Sequence, residues 1–312
     1  MNTVKTTVLF LFTIMLSTGF AKAQEGHPLE GKWNLTIEQD GKKLPSWLEI
    51  RHSGSSRLIG RFTYAFGSAR PIAEIKKYGD IFTFEIPPQW EPGASNMVFE
   101  GKLNGDSLNG TMIYVDGKVH DWAAVKSPNL PYYENGKEGK KIKLFNGKNL
   151  DGWKVAPNNQ WKVVNGILTS PQSGVNLISE QKFQDFTLKA EFRYPKGSNS
   201  GLYIRGRYEV QIADNEGLEA SSIYFGGIYG LLSPNTNMAK KAGEWQTYEI
   251  TLIGRRVTII ANGTTIISEQ NIDGMTGGAL DNNEAEPGPI MIQGDHGPVE
   301  FRTLEITPIT KG

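Results

Sequence analysis

The sequence predicts an all-β protein in which a small antiparallel β-barrel-like domain precedes a C-terminal jelly-roll β-sandwich. Turn-forming residues are frequent, with 36 Gly and 16 Pro among 312 residues. Between them lie many short segments in which apolar and polar residues alternate, the pattern of strands with one buried face. The chain shows no amphipathic segment longer than one or two helical turns.

The first 23 residues have the features of a secretory signal peptide. Lys5 supplies a positive charge, residues 8–16 form an apolar run, and Ala21-Lys22-Ala23 is a small-x-small cleavage signal. The apolar run is too short to span a membrane, and the sequence offers no second candidate span. We therefore expect cleavage after Ala23 and a periplasmic or secreted protein.

Composition excludes several kinds of site and partner. The chain has no Cys, which rules out disulfides, thiolate metal sites and a cysteine nucleophile. Its 33 basic and 33 acidic residues balance, so the charge gives no indication of nucleic acid or an anionic membrane as a partner. The pattern makes no prediction about oligomeric state.

Residues 27–126 are predicted to form the small β domain. Turn signals divide this region into about eight short strands. Asp40-Gly41, Asn104-Gly105 and Asp116-Gly117 are hairpin signals, because both turn positions require positive φ. Eight short strands suit a closed or nearly closed antiparallel barrel.

Residues 127–141 are predicted to be an inter-domain linker, since they combine two prolines, two glycines and five charged residues without apolar periodicity. Residues 142–310 then form the predicted sandwich. Alternation is clear at residues 186–194, and Asn262-Gly263 is a hairpin signal between two further strands. Two packed antiparallel sheets of this length fit a jelly roll.

One stretch of the second domain, NSGLYIRGRYEVQIADN at residues 199–215, predicts more than a strand. Its apolar residues alternate with a dense polar set, consisting of Tyr203, Arg205, Arg207, Glu209 and Gln211. The stretch is either one strand or two strands that meet at Gly206. Two long loops, residues 226–243 and 272–289, can wall the polar face. We interpret this face as the floor of a groove; the alternative is an exposed Arg–Glu ladder of little energetic value.

Four segments together resemble the 3-keto-disaccharide hydrolase family. They are LFNGKNLDGW at 144–153, NSGLYIRGRYEVQIADN at 199–215, GIYGLLSPNTNMAKKAGEWQTYEI at 227–250 and GPIMIQGDHGPVEFRTLEI at 288–306. The resemblance covers about residues 141–309 and leaves out the N-terminal domain. It implies a concanavalin-like jelly roll. It also implies an exported enzyme, from a saccharolytic bacterium, that cleaves 3-keto-glycosides or 3-keto-disaccharides.

A ketone at C3 determines the chemistry that such a substrate needs. The ketone acidifies the proton on C2, so a base can remove it and the resulting enolate can expel the aglycone from C1 by β-elimination. Later addition of water would make the net result a hydrolysis. The site therefore needs a base near C2, donors or a metal at the C3 oxygen and an acid at the leaving oxygen.

His296 is the first catalytic candidate, as base or acid. Glycines flank the Asp295-His296 pair on both sides and keep the backbone open, and the pKa of His suits proton transfer near neutrality. Asp295 could orient His296 or ligate a cation. Glu209 is the second candidate acid or base. The alternative for His296 is a surface-loop residue without a role.

The substrate-binding candidates are Arg205, Arg207, Gln211, Asp214, Tyr229 and Gln293. Arg205 would bind the C3 oxygen or a sugar hydroxyl, and Gln211 would bind hydroxyls. Asp214 equally fits a turn cap, and a buried position is the commoner fate of a residue such as Tyr229.

Metal ligands are the least defined part of the prediction, because the chain has neither HExxH nor EF-hand spacing. Oxygen ligands from Asp214, Glu209 and Asp295 could still hold a divalent cation. No other cofactor is predicted, since neither a phosphate loop nor a dinucleotide fingerprint is present.

Two alternative functions stay open. A conventional glycosidase would use two carboxylates on either side of C1, and a carbohydrate-binding protein would have no proton-transfer group. The Gly294–Gly297 motif favours an enzyme.

In the N-terminal domain, the segment PPQWEP at residues 87–92 is predicted to expose Trp90 for sugar binding, a dimer contact or a groove wall.

Overall fold

The computed structural model describes residues 27–312, and every regular element in this part of the chain is a strand. The all-β class predicted from the sequence is therefore confirmed. The predicted signal peptide, residues 1–23, lies outside the described residues. Within residues 27–312, no helix has the length and apolar character needed to cross a membrane.

The first eight strands close an antiparallel barrel, in which each strand pairs with the next along the chain and β1 pairs with β8. They are β1 (Gly31–Gln39), β2 (Lys42–Ser53), β3 (Arg57–Thr63), β4 (Arg70–Tyr78), β5 (Ile81–Ile86), β6 (Met97–Asn104), β7 (Ser107–Ile113) and β8 (Val119–Lys126). Alternate apolar residues fill the barrel. Phe84 and Phe99, for example, are cross-strand partners whose rings stack 4.6 Å apart. Asp40 and Gly41 both have positive φ, as their hairpin signal requires.

The rest of the chain forms two antiparallel sheets that enclose a second core. The larger sheet has the order β12-β13-β22-β15-β18-β19-β20, with β9 and β10 also paired to β22, and the smaller has the order β11-β14-β21-β16-β17. The bounds are β9 (Gly136–Glu138), β10 (Ile142–Lys143), β11 (Trp153–Lys154), β12 (Lys162–Val164), β13 (Ile167–Ser170), β14 (Leu177–Phe183), β15 (Asp185–Arg193), β16 (Asn199–Ile204), β17 (Tyr208–Ala213), β18 (Gln246–Ile253), β19 (Arg256–Ala261), β20 (Thr264–Asn271), β21 (Gly288–Ile292) and β22 (Val299–Lys311).

This core explains the two-sheet architecture. Phe192 and Leu188 of the larger sheet pack in one apolar cluster with Leu202 and Val210 of the smaller sheet, all fully buried. Each sheet buries one face against the other, which is the packing of a sandwich. The predicted jelly-roll sandwich behind a small barrel is thus confirmed.

Part of the segment predicted as a linker is itself a strand. β9 pairs with the end of β22, where Glu138 lies opposite Ile309 and Gly136 opposite Lys311. All three residues of β9 are exposed. Backbone pairing therefore forms this strand without an apolar pattern, which is why the sequence does not reveal it.

The barrel contacts the long loop of the sandwich at residues 272–289. Asp273 accepts hydrogen bonds of 2.6 Å from both Lys32 and Arg61 of the barrel. The backbone N–H of Gly278 donates to the carbonyl of Ala65, at 2.8 Å. These contacts bring a barrel loop to the edge of the smaller sheet.

Candidate active site

The floor of the site is a hairpin in the smaller sheet. β16 and β17 meet at Arg205-Gly206, where both residues have positive φ, so the stretch at 199–215 is two strands and not one. Tyr203 lies opposite Glu209 in the register. These two side chains share the face that turns away from the core, while Leu202 and Val210 point into it.

A cavity of about 520 Å³ opens over this face. Its size lies within the range of roughly 300–1,000 Å³ that small-molecule sites occupy. The sandwich supplies Asn176, Asn199, Tyr203, Glu209, Gln211, Tyr229, Gly277, Gly278, Gln293, Asp295 and His296, and the barrel supplies Phe66, Gly67 and Trp90. Six of the nine side chains predicted to act in the site therefore line one cavity: Glu209, Gln211, Tyr229, Gln293, Asp295 and His296.

Glu209 is the buried acid of this cavity, with only 3% of its surface exposed. It fits because Gly201 has no side chain: a Cβ there would lie 2.3 Å from Glu209 Oε1. Burial raises the pKa of Glu209 to about 8, although the hydrogen bond with Tyr203 and the charge that His296 carries when protonated act in the opposite direction. The carboxyl group consequently holds a proton at neutral pH.

The surroundings of the Tyr203 hydroxyl agree with a protonated Glu209. The hydroxyl oxygen lies 2.9 Å from Glu209 Oε2 and 2.9 Å from the carbonyl oxygen of Gly277. A phenol has one proton, so it cannot satisfy two acceptors at once. A protonated Glu209 resolves this, because it donates to Tyr203 while Tyr203 donates to Gly277. Burial also raises the pKa of Tyr203 well above its usual value, and the phenol stays neutral.

His296 and Asp295 form the second proton-transfer group. His296 Nδ1 lies 2.7 Å from Asp295 Oδ1, and about half of each side chain is exposed. The hydrogen bond that His296 donates to Asp295 raises the pKa of His296, against the effect of partial burial. The same bond lowers the pKa of Asp295. Because Nδ1 is engaged, Nε2 is the ring nitrogen left to exchange a proton with a substrate.

Two amide groups in the cavity have oxygens without a partner. Gln293 Oε1 and Asn199 Oδ1 are buried and accept no hydrogen bond within residues 27–312. A buried polar atom of this kind costs free energy unless something donates to it. Sugar hydroxyls are suitable donors, so these amides fit a polyhydroxylated ligand.

Arg205 does not reach the cavity, and the expectation that it shares a face with Glu209 is wrong. It is fully buried at the hairpin turn, where one guanidinium nitrogen donates to the Gly254 carbonyl and the group lies 5.3 Å from the Tyr208 ring. Burial lowers the pKa of Arg205. The alternation of a strand ends where the chain turns at Arg205-Gly206, so Arg205 does not share a face with Glu209.

Arg207 also lies outside the cavity, although the alternation along a single strand predicts that it shares the polar face with Glu209. Its Nε donates to Asp281 at 2.6 Å and its Nη1 donates to the Glu286 carbonyl at 2.8 Å. Both partners belong to the loop 272–289. Arg207 therefore anchors a wall of the cavity instead of lining it.

Asp214 closes a turn, as its alternative interpretation states. Its Oδ2 accepts from the Gly197 backbone N–H at 2.8 Å, and it is not a lining residue.

The described residues contain no group of three or more Asp, Glu or His side chains placed to hold a metal ion. The cation cluster of Asp214, Glu209 and Asp295 is therefore wrong, because the turn holds Asp214 away from the other two.

Several lining residues escape sequence reasoning. Asn176 holds the Gly294 backbone N–H at 2.9 Å, and Tyr203 acquires its role only through strand pairing. Phe66 and Gly67 carry no signal at all, since they belong to the other domain. Trp90 is the exception, because the prolines around it indicate an exposed aromatic residue.

Comparison with known proteins supplies the family. Residues 140–307 match the model of the 3-keto-alpha-glucoside-1,2-lyase-like domain, which is more than half of the chain. No curated protein matches. Among solved structures, the chain is similar to two proteins of Parabacteroides distasonis ATCC 8503 described as candidate glycosyl hydrolases. One is 27% identical, covers 56% of this chain and 92% of its own, and has a TM-score of 0.47.

The second Parabacteroides distasonis protein is also 27% identical, over 55% of this chain and 100% of its own, with a TM-score of 0.45. A carbohydrate-binding module from Bacillus subtilis is 13% identical over 49% of this chain and 94% of its own, with a TM-score of 0.35. The family match covers the sandwich and not the barrel. The chain belongs to the 3-keto-alpha-glucoside-1,2-lyase-like family.

Proposed function

We propose that this protein, a carbohydrate-active member of its family, is an exported enzyme that cleaves 3-keto-glycosides by elimination across C1 and C2. One observation carries the proposal: a buried carboxyl group whose burial raises its pKa, Glu209, and a histidine–aspartate pair, His296 and Asp295, line the same cavity. Elimination requires one group that gives a proton and one that takes a proton. We assign these two roles to Glu209 and His296.

The reaction divides between these groups as follows. Neutral His296 takes the C2 proton at Nε2, and the electrons of the C–H bond form an enolate stabilised by the C3 ketone. The enolate electrons then form a C1–C2 double bond as the bond from C1 to the leaving oxygen breaks. Glu209 gives its proton to that oxygen. The products are a 2-hydroxy-3-keto-glycal and an alcohol, and transfer of the proton from His296 back to Glu209 restores the enzyme.

Asp295 acts through His296. Its hydrogen bond to Nδ1 fixes the ring and stabilises the imidazolium that forms when the C2 proton arrives. The amides of Gln293 and Asn199 can present a donor or an acceptor to the sugar. If water adds to the glycal, the net reaction is hydrolysis.

The conventional glycosidase is less well supported. It needs a second carboxylate free to act at C1, whereas Asp295 is hydrogen-bonded to His296. A purely binding protein would gain nothing from an acid whose burial raises its pKa to about 8.

Variants with two leaving groups test the assignment. The two substrates are 3-keto-glucosides, one with a sugar and one with p-nitrophenol as the leaving group. His296→Ala should slow cleavage of both at least about a hundredfold, because both need the base. Glu209→Gln should slow the sugar substrate comparably but the nitrophenyl substrate much less, since nitrophenolate leaves without protonation. Steady-state rates of aglycone release provide the measurement.

Asp214→Asn is the matched control, because it removes a carboxylate that directly follows β17 but does not line the cavity. It should retain wild-type rates. Wild-type rates in His296→Ala and Glu209→Gln would place the active site elsewhere. Equal losses on both substrates in Glu209→Gln would show that Glu209 is not the leaving-group acid.

A further inference from the structure

We infer that the N-terminal barrel completes the cavity and forms its leaving-group subsite, where Trp90 stacks against an uncharged ring. This inference rests on the proposed function, because Glu209 identifies the side on which the leaving group sits. The family match begins at residue 140, so the barrel is an addition to the family domain.

The barrel loop that carries Trp90 is held in a defined conformation. Trp90 is 67% exposed, yet the next residue, Glu91, is buried and pairs with buried Arg70 at 2.9 Å. Glu91 Oε2 also accepts from the backbone N–H groups of Gln89, at 2.7 Å, and Trp90, at 3.1 Å. Arg70 in turn donates to the Pro87 carbonyl at 2.8 Å.

A buried ion pair is weak evidence of a stabilising role. The hydrogen bonds of Arg70 and Glu91 to the backbone of residues 87–90 do fix the path of this loop. A large aromatic side chain fixed in an exposed position is poorly explained by folding, since Trp contributes most to stability when it is buried. A ligand that covers the indole would explain why Trp90 is exposed and why hydrogen bonds of Arg70 and Glu91 hold its loop in place.

The position of Trp90 identifies which end of the substrate it meets. Trp90 is close enough to the Tyr229 hydroxyl to affect its pKa, although burial is the larger effect and raises it. Tyr229 is next to the acid, because its backbone N–H donates to the Glu209 carbonyl at 3.0 Å. The proposed base, His296, instead follows β21, on the other side of β16 in the sheet.

A proton given by Glu209 goes to the leaving oxygen, so the leaving group must lie on the side of Glu209. Trp90 of the barrel lies on that side, beside Tyr229. Phe66 adjoins Gly277, whose carbonyl oxygen accepts from Tyr203, the partner of Glu209. The glycone with its C3 ketone then lies toward Gln293 and His296. The two ends of the substrate are thus assigned to different parts of the chain.

The lining residues also specify the chemistry of the occupant. Among the described residues that line the cavity, none is Lys or Arg, and the carboxylic acids are Glu209 and Asp295. An anionic leaving group on the Glu209 side would therefore meet no Lys or Arg to balance its charge. Trp90, Phe66 and Tyr229 offer apolar ring faces, which suit a neutral pyranose or an aryl ring.

The test compares substrates that differ only in the leaving group. Methyl, glucosyl and nitrophenyl 3-keto-glucosides would be assayed with wild-type protein, Trp90→Ala and Trp90→Phe. Trp90→Ala should raise KM about three- to tenfold for the two ring-bearing substrates with kcat unchanged, the loss expected for one aromatic contact. The methyl substrate should be unaffected, and Trp90→Phe should recover most of the affinity.

Tyr78→Ala is the control, since Tyr78 is an aromatic residue of the same barrel with 63% exposure and does not line the cavity. It should match the wild type on every substrate. An unchanged KM in Trp90→Ala, or an equal change on the methyl substrate, would overturn the subsite.

Calorimetry separates this inference from the proposed function. If wild-type protein cleaves none of the three substrates, the proposed function fails. Binding of nitrophenyl glucoside and of methyl glucoside would then be measured directly. Tighter binding of the nitrophenyl compound that is lost in Trp90→Ala supports the subsite. Equal binding of the two glucosides, or no binding of either, overturns it.

Discussion

Glu209 keeps its proton because the fold buries its carboxyl group and gives it a neutral hydrogen-bond partner, Tyr203. Gly201 leaves the space for its carboxyl group, and Tyr203 bonds it without supplying a positive charge. An ordinary Glu titrates near pH 4.5, whereas burial raises the pKa of Glu209 to about 8. The group is therefore an acid at the pH at which most carboxyl groups are ionised.

This raised pKa predicts a stability that depends on pH. The stability contributed by the protonated form is complete below pH 4.5, the value for an ordinary Glu, and is lost as pH rises through about 8. Glu209→Gln mimics the neutral acid and should not show the loss. The difference in the free energy of unfolding in urea, Glu209→Gln minus wild type, should therefore increase between pH 4.5 and about pH 8, by up to about 1.4 kcal/mol per pH unit.

Measurements at pH 5 and pH 8.5 would reveal the difference, with Asp214→Asn again as the control. A difference between Glu209→Gln and wild type that does not change with pH would mean that the carboxyl group is ionised in the folded protein.

At the residue scale, local sequence patterns identify side chains that face one way along a strand, but not where the strand ends. Glu209 and Gln211 were predictable because they follow the turn and alternate within β17. Arg205 was not, because it adopts a φ of 53°, which few non-glycine residues do. Only Gly206 marked a possible turn there.

At the level of elements, the loop 272–289 meets the barrel by backbone contact. Gly277 lies so close to Gly67 that a Cβ at position 277 would be 2.3 Å from the Gly67 carbonyl oxygen. Gly67 and Gly277 both line the cavity. The seam between barrel and sandwich is consequently part of the substrate site.

Gly277→Ala should force this seam apart. Overpacking of this kind costs on the order of 1–3 kcal/mol in unfolding free energy. It should also raise KM for ring-bearing substrates more than for the methyl substrate, because the leaving-group wall moves.

Gly139→Ala is the comparison, since its Cβ would meet nothing nearer than 3.3 Å. Urea unfolding and the two KM values would be measured for both variants. Gly277→Ala behaving like Gly139→Ala would show that the contact is not constrained.

Hairpin elements were the most predictable from sequence, and paired edges the least. Asp40-Gly41 and Asn262-Gly263 have the positive φ values that their residue types favour. By contrast, β9 forms through pairing with β22 over a sequence separation of about 170 residues, and its own three residues are exposed. Nothing local in the chain specifies such a strand.

For the whole molecule, two separate cores are joined around one cavity. Residues that line it come from positions as distant as Phe66 and His296. Asp273 links the two parts through Lys32 and Arg61, and these hydrogen bonds lower its pKa although burial opposes them. The sequence indicates each fold separately, but the docking depends on long-range contacts that leave no periodic signal.

The central claim is that cleavage removes the C2 proton of a 3-keto-glycoside. Wild-type protein would be mixed in deuterated buffer with a 3-keto-glucoside and, separately, with its unoxidised parent, and aglycone release and the hydrogen at C2 would be followed by NMR. Product incubated in the same deuterated buffer without enzyme measures the spontaneous exchange of hydrogen at C2. We predict release from the keto substrate alone, with the original C2 hydrogen lost from the product. Release from the parent at a comparable rate, or retention of that hydrogen, would contradict the account.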